Sequence, residues 1–389
     1  MDTMRANPGG ILAPEDVIGR DKLIEGLWRA LESQSVVLTS ERRVGKTSVI
    51  RKMVDAPGPG RVCFMRDVEG FRSPGEFIEG IYADVQPILS KKERARMAMW
   101  GLLEKLGGTE ISHLKLPNVK PHWKNILAAL FEDIFAEETR PVVFFWDELP
   151  LFLYNVKDST GEQDAMELLD ALRALRQKYI NLRMVFTGSV GIHQVIGSLR
   201  KHGYANDPTN DMATIEVPPL EPHDGSNLAG LLLAGEGIKT PDGAHAVGEA
   251  ISKAAGHIPY YIHYLVSRIR NSSGEMHSNG VQDCLLALIS DPNDPAHFYY
   301  YETRLTTYYG AIEAKLALHA LDILASLDHP AAFPDLLNLV KHKTDTAEEQ
   351  LFREVLNILL KDHYLVRNAD GTYCFRYSIV QNWWAYTRG

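Results

Sequence analysis

The chain has 389 residues, of which 45% are hydrophobic and 23% charged, and its formal net charge is −9 at pH 7. Such a composition describes a globular protein with room for two or three domains. The acid excess argues against a broadly basic nucleic-acid binder, although a local basic face would survive that average.

Cys63, Cys284 and Cys374 have neither zinc-ligand spacing nor an even count, which suits free thiols in a reducing cytosol. No apolar run reaches membrane-spanning length, and the start, MDTMRANPGG, lacks a signal-peptide core. A cytoplasmic location without a membrane partner is therefore the expectation.

Residues 1–17, with Pro8, Gly9, Gly10 and Pro14, read as an irregular lead-in. Val17-Ile18-Gly19-Arg20-Asp21 follows, and then an amphipathic stretch over 22–33. Its apolar residues Leu23, Ile24, Leu27, Trp28 and Leu31 fall at helical spacing.

The chain is organised around the next segment, VVLTSERRVGKTSVIRK at 36–52. A buried strand, Val36–Thr39, enters the loop Ser40–Ser48, and Val49 continues into a helix. This is the strand–loop–helix of a P-loop, G-x-x-x-x-G-K-[ST], with Ser40 in place of the first glycine. Successive N–H groups at a helix start face phosphate oxygens, and the helix dipole adds to their pull. Gly45 lets the backbone come close, Lys46 reaches the β- and γ-phosphates, and Thr47 offers its hydroxyl to Mg²⁺. Ser40 can make the turn provided its φ stays negative. With a nucleotide in prospect, Ile18-Gly19-Arg20 has two readings, a turn that packs a helix on the sheet or one that touches the adenine.

A second strand is expected at 61–67, with helices over 74–90 and 91–106, a loop holding Pro117 and Pro121, and a helix over 122–137. Pro141-Val142-Val143-Phe144-Phe145-Trp146-Asp147-Glu148 is an apolar run that stops on two acids. It reads as a central parallel strand, buried on both faces, with its carboxylates at the ligand-binding carboxyl edge. Asp147 suits the carboxylate near Mg²⁺, usually through water, and Glu148 the base that orients and deprotonates the attacking water. The alternative is that both acids merely cap a turn at Leu149-Pro150.

An amphipathic helix over 165–179 directs Leu168, Leu169, Leu172 and Leu175 inward and Arg173 and Arg176 outward. A fourth strand over 183–189 ends in polar residues. There Thr187 or Ser189 either senses the γ-phosphate beside the catalytic carboxylate or simply ends the strand. A fifth strand lies within 211–220, and Pro218, Pro219 and Pro222 mark a domain end.

From 221 the pattern is helical: 226–235, 243–255, 260–270 and 281–290, with Gly256-His257-Ile258-Pro259 interrupting. The aromatic run 297–309 could stack bases around Arg304. Core packing is the better reading, because no basic cluster accompanies the tyrosines. Helices over 312–327, 332–341 and 346–361, strands at 364–367 and 372–377 around Asp370-Gly371, and a short helix at 379–386 describe a winged-helix domain. The expected division is a lead-in at 1–17, an ATPase domain at 18–220, a helical lid at 221–311 and a winged helix at 312–389. In fold class this is an α/β P-loop NTPase, AAA+-like, with helical and winged-helix domains behind it.

With these motifs in order, the chain resembles the archaeal and bacterial STAND-type ATPases, signal-transduction P-loop ATPases of the AAA+-like superfamily. The marks are V-I-G-R-D, R-R-V-G-K-T-S, D-V-E-G-F-R-S-P-G-E-F, F-W-D-E-L-P-L-F-L, F-T-G-S-V-G-I, G-H-I-P-Y-Y-I and Y-Y-Y-E-T-R-L-T-T-Y-Y. The likeness runs from about residue 17 to the C-terminus. It implies that Arg42, Arg43, Val44, Gly45, Lys46, Thr47 and Ser48 cradle ATP or ADP. It makes Thr47 and Asp147 the Mg²⁺ residues, Glu148 the base, and His257 with Pro259 a nucleotide-sensing motif of the lid. Arg173 and Arg176 are candidates for an arginine finger.

The resemblance further implies a switch in which ATP and ADP change the arrangement of the domains, with slow hydrolysis. A protein partner or self-association would go with it. The competing reading is a DNA-directed ATPase, similar to origin-recognition or transposition-regulator proteins, with its winged helix on DNA. The third winged-helix helix carries Glu348, Glu349 and Glu354 against Arg353 and Lys361. A helix that enters the major groove needs a basic excess, so DNA is not favoured.

Overall fold

In the computed structural model of the chain, residues 4–90, 94, 122–272, 274–344 and 347–389 are described. Apart from Arg94, the helix expected over 91–106 and the loop with Pro117 and Pro121 lie outside the described residues. The chain divides into two compact units. A sheet unit comprises Ile24–Thr39 and Ile50–Glu216, and a helical unit comprises Met1–Leu23, Ser40–Val49 and Val217–Gly389.

The sheet unit holds β1 (Ser35–Thr39), β2 (Val62–Asp67), β3 (Val142–Asp147), β4 (Leu182–Phe186) and β5 (Met212–Glu216). They form one parallel sheet in the order β2-β3-β4-β1-β5. All six residues of β3 are buried, which its unbroken apolar run demands. A strand covered on both faces has no position that tolerates a polar side chain until its end. Trp146 is packed edge-on by Phe77 at 4.9 Å between ring centroids and stacked by Phe186 at 5.9 Å. Each such buried side chain contributes about 1.5–3 kcal/mol.

Helices Pro74–Val85, Trp123–Glu137, Leu149–Thr160, Glu162–Lys178 and Ile192–Arg200 supply apolar stripes to this core. The first is shorter than expected. Pro87 lacks an N–H, and the chain tightens into a 3-10 turn at Gln86–Ile88. Its start is fixed by Ser73, whose hydroxyl accepts from the Glu76 N–H at 3.2 Å, while the Glu76 carboxylate accepts from the Arg72 N–H at 2.6 Å. Two helices have no counterpart in the sequence reading. Leu149–Thr160 begins with Leu149-Pro150, and a proline in the first turn is tolerated because that N–H would be unpaired anyway. Ile192–Arg200 buries Ile192, Val195, Ile196 and Leu199. In Glu162–Lys178 the four leucines face inward as expected.

In the helical unit, helices Pro222–Gly235, Ala244–Ala254, Pro259–Ser272, Val281–Ile289 and Tyr300–Tyr308 follow one another. Phe298 stacks on Tyr261 at 5.0 Å, and Tyr301, Arg304 and Leu305 are buried. Phe298, Tyr301 and Tyr309 of the aromatic run are thus core, Tyr299 is exposed, and Arg304 is not available to a nucleic-acid base. Next come helices Ala311–Ser326, Phe333–Lys343 and Glu349–Lys361, and then the antiparallel pair β6 (Leu365–Arg367) and β7 (Tyr373–Phe375). The pair turns at Gly371, whose φ of +87° suits glycine, and Asp370 accepts from the Thr372 N–H at 3.0 Å. Ala331 adds a bridge to Tyr373. Three helices thus precede the hairpin in the order helix–helix–helix–hairpin. The closing helix, Ser378–Arg388, buries Trp383 and Trp384, the latter donating to Asp322 at 2.9 Å.

Candidate active site

The loop that follows β1 runs from Ser40 to Gly45, and Lys46 opens the helix Lys46–Asp55. Ser40 does not take a positive φ; the left-handed positions are Arg43 at +69° and Gly45 at +97°. A serine is therefore admissible where the motif has glycine, because the turn is made three residues later. A Cβ built on Gly45 would meet no protein atom within 4 Å. Open space thus lies over the glycine, as a phosphate cradle requires, and the N–H groups of a helix's first turn are those that lack partners within the helix. The Lys46 ammonium donates to the Ser40 hydroxyl at 2.9 Å and to the Ser40 and Glu41 carbonyls at 3.2 Å each. Thr47 and Ser48 are half-buried in the first helical turn. These residues fit a magnesium nucleotide: a lysine, an open glycine and a hydroxyl at one helix start.

The loop is held by side chains remote in sequence, all within the helical unit. Arg20 is buried and donates to the Val44 carbonyl at 2.7 Å and the Pro218 carbonyl at 2.8 Å. Burial lowers its pKa to about 10, against the opposing pull of Asp224. Its guanidinium thus braces the loop. Gly19, at φ +68°, lies so close to Asp224 that a Cβ would sit 2.6 Å from the Asp224 Cβ. The Arg42 guanidinium lies over the Tyr300 ring at 4.4 Å, and that of Arg43 over the Tyr260 ring at 3.8 Å.

Glu41, which the sequence reading passed over, is fully buried and bonded to Arg304 at 3.1 Å. Burial raises its pKa, and Arg304, the Arg42 N–H and Lys46 oppose that rise. Burial also works against the charge of Arg304, but Tyr364, Glu41 and Asp362 outweigh it and raise its pKa. His257 has φ +58°; its ring nitrogen Nδ1 lies 2.8 Å from the Ser252 hydroxyl, and its carbonyl accepts from the Leu220 N–H at 2.9 Å. Burial lowers its pKa, with Glu221 opposing. Pro259 starts the next helix.

The acids belong to the sheet unit, at the carboxyl end of β3. Asp147 is buried, and the Thr187 hydroxyl just past β4 donates to it at 3.3 Å. Glu148 has φ +59°, and its carboxylate accepts from the Ser189 N–H at 2.8 Å and the Ser189 hydroxyl at 2.9 Å. Gly188 between them is required, because a Cβ there would come within 2.6 Å of Pro150. Thr187 and Ser189 are thus divided: one serves Asp147, the other Glu148. Glu148 makes no side-chain cap to the helix it precedes.

The arginines of Glu162–Lys178 depart from the outward placement. Arg176 turns inward to Asp211 at 2.8 Å and to the Pro208 carbonyl at 2.6 Å, with its side chain only 4% exposed. A long side chain near a helix end can reach an acid that arrives 35 residues later, just before β5, which helical spacing does not reveal. Arg173 is half-buried.

No family model matches the chain, and no curated protein matches it. Among solved structures it is similar to the Walker-type ATPase paby2304 of Pyrococcus abyssi, with a TM-score of 0.66 and 16% identity over 98% of this chain and 99% of that one. It is also similar to the Aeropyrum pernix ORC2 protein in its ADPNP–ADP complexes, with a TM-score of 0.57 and 10% identity over 97% and 96% of the two chains. The fold is that of AAA+-like P-loop ATPases. At these identities the likeness concerns architecture.

Proposed function

We propose that the protein binds Mg-ATP and hydrolyses it, and that it works as a regulatory switch of the STAND type, carrying a helical lid and a C-terminal winged helix. The observation that carries this reading is the loop itself, with Gly45 open and left-handed, Lys46 at the helix start and Thr47 beside it. Lys46 now donates to carbonyls of its own loop, and phosphate oxygens would replace them as acceptors. Thr47 and Asp147 would hold Mg²⁺, which when bound neutralises charge on the β- and γ-phosphates. Glu148, fixed by Ser189 and held as an acceptor, would take a proton from water, and Thr187 would report on the neighbouring Asp147.

A switch requires contacts that differ between its two nucleotide states. The side-chain ties from Arg20, Tyr260, Tyr300 and Arg304 to the loop are the contacts available for that purpose. The partner is a protein or a second copy of this chain rather than DNA. In helix Glu349–Lys361, Arg353 is already paired with Glu349 at 2.7 Å and lies over Phe333. That leaves little positive charge for a phosphate backbone.

Calorimetry with Mg-ATP tests the reading. Wild-type protein is expected to bind and Lys46→Ala to lose binding by at least 100-fold. Equal affinity in the two proteins overturns the nucleotide assignment.

A further inference from the structure

The most buried charge in the phosphate loop stands at a position that the nucleotide motif leaves unspecified. Glu41 has no solvent exposure, and its Oε1 accepts from the Arg42 N–H at 2.7 Å and from Arg304 at 3.1 Å. Its Oε2 has no hydrogen-bond partner among the described residues. A buried carboxylate in a loop meant for phosphates is an electrostatic liability, since uncompensated it repels the ligand and is costly in itself. Arg304 removes that liability. It lies on helix Tyr300–Tyr308 and is itself buried, 4.0 Å from Asp362 and over the Tyr364 ring at 5.5 Å. Asp362 accepts from the Tyr309 hydroxyl at 2.7 Å, and the Tyr364 hydroxyl donates to the Tyr301 carbonyl at 2.6 Å. The other end of the chain of contacts reaches the catalytic lysine, because the Glu41 carbonyl is one of the acceptors of Lys46.

We propose that Glu41 and Arg304 are a positioning pair: their buried ion pair fixes the phosphate loop and ties its affinity for a nucleoside triphosphate to the C-terminal segment that holds Asp362 and Tyr364. The inference rests on the nucleotide reading above and adds to it the residues that regulate the site. Neither residue touches the nucleotide. Arg304 acts by neutralising Glu41, and Glu41 acts by placing the backbone that Lys46 and the phosphates share. Loss of Arg304 alone leaves an uncompensated carboxylate beside the cradle, whereas loss of both charges removes the repulsion.

The experiment measures Kd for Mg-ATP by calorimetry, with kcat and KM from phosphate release, in the full chain. The variants are Glu41→Gln, Arg304→Met, the double variant and Asp362→Asn, each kept below its melting temperature. Arg304→Met is expected to weaken binding about tenfold or more, with KM rising and kcat held within about twofold, since Glu148 is untouched. The double variant should bind more tightly than Arg304→Met alone, and Asp362→Asn, which faces the loop through Arg304, should shift Kd by about threefold. If Arg304→Met does not fold, Arg304→Lys replaces it, with a several-fold rise in KM expected. Single variants with wild-type Kd and KM, or a double variant no better than Arg304→Met, overturn the positioning pair. Failure of wild-type protein to bind Mg-ATP at all overturns the nucleotide reading instead, so the two failures are distinguishable.

Discussion

The acid pair of the sheet unit and the phosphate loop of the helical unit are held in place in opposite ways. Asp147 and Glu148 sit at the end of a fully buried strand and are fixed by Thr187 and Ser189, which belong to the end of the neighbouring strand. Their supports are as rigid as the sheet, and the sheet needs nothing else to place them. The phosphate loop has no such frame. Its shape depends on Arg20, Tyr260, Tyr300 and Arg304, which approach from before it and from more than two hundred residues beyond it. Acids on a rigid strand suit chemistry that must not vary. A loop gripped by distant helices suits an affinity that is meant to be adjusted.

The largest break in this contrast is expected at Arg20. Arg20→Met strips two short hydrogen bonds and strands the carbonyl of Val44, itself fully buried, without its donor. An unmet buried acceptor costs about 1–3 kcal/mol, so a loss of ~3 kcal/mol in denaturant unfolding is expected. A loss under ~1 kcal/mol would mean that the loop is not braced from outside.

Ser189→Ala sharpens the other side. It removes the hydroxyl donor to Glu148 but keeps the N–H. A fall in kcat of about tenfold, or ~1.4 kcal/mol, is expected, with Kd for ATP unchanged and Glu148→Gln as the floor. A change in Kd without one in kcat would erase the division of labour.

The smallest effect concerns pH. His263 is buried beside the lead-in, accepts from the Asn7 N–H at 3.1 Å, and has its pKa pushed down to about 4 by burial. An unfolded imidazole takes its proton near 6.5, so between these values the unfolded state binds more protons. Stability is therefore full above about pH 6.5 and is lost as pH falls toward 4. Between pH 7.5 and 6.0 this histidine accounts for ~0.8 kcal/mol. In His263→Gln the pH dependence of unfolding should shrink by that amount. His363, also driven to about 4 by burial, has the same sign and remains in the variant.

What sequence conveys about this molecule follows the same division. The central strand was legible because six consecutive buried positions leave only one pattern, and the two acids that end it locate the carboxyl edge. Gly45-Lys46-Thr47 was legible because backbone approach, charge and hydroxyl are required at fixed spacing. The helix at Leu149–Thr160 was obscured by Pro150, which reads as a breaker unless the first turn is recognised. Arg176 was misdirected because helical spacing places a Cβ but not the end of a long side chain. Glu41 and Arg304 are 263 residues apart, and no local periodicity can announce a partner at that distance.

Six described residues other than glycine adopt a left-handed backbone, and four of them are Arg43, Glu148, His257 and His363. Each forgoes about 1 kcal/mol of conformational ease that glycine would recover. These are positions in the loop, at the acid pair, between helices Ala244–Ala254 and Pro259–Ser272, and at the entry to the hairpin. A chain drifting toward greater robustness would put glycine there first, and would become sturdier in the same step that emptied those positions of their side chains.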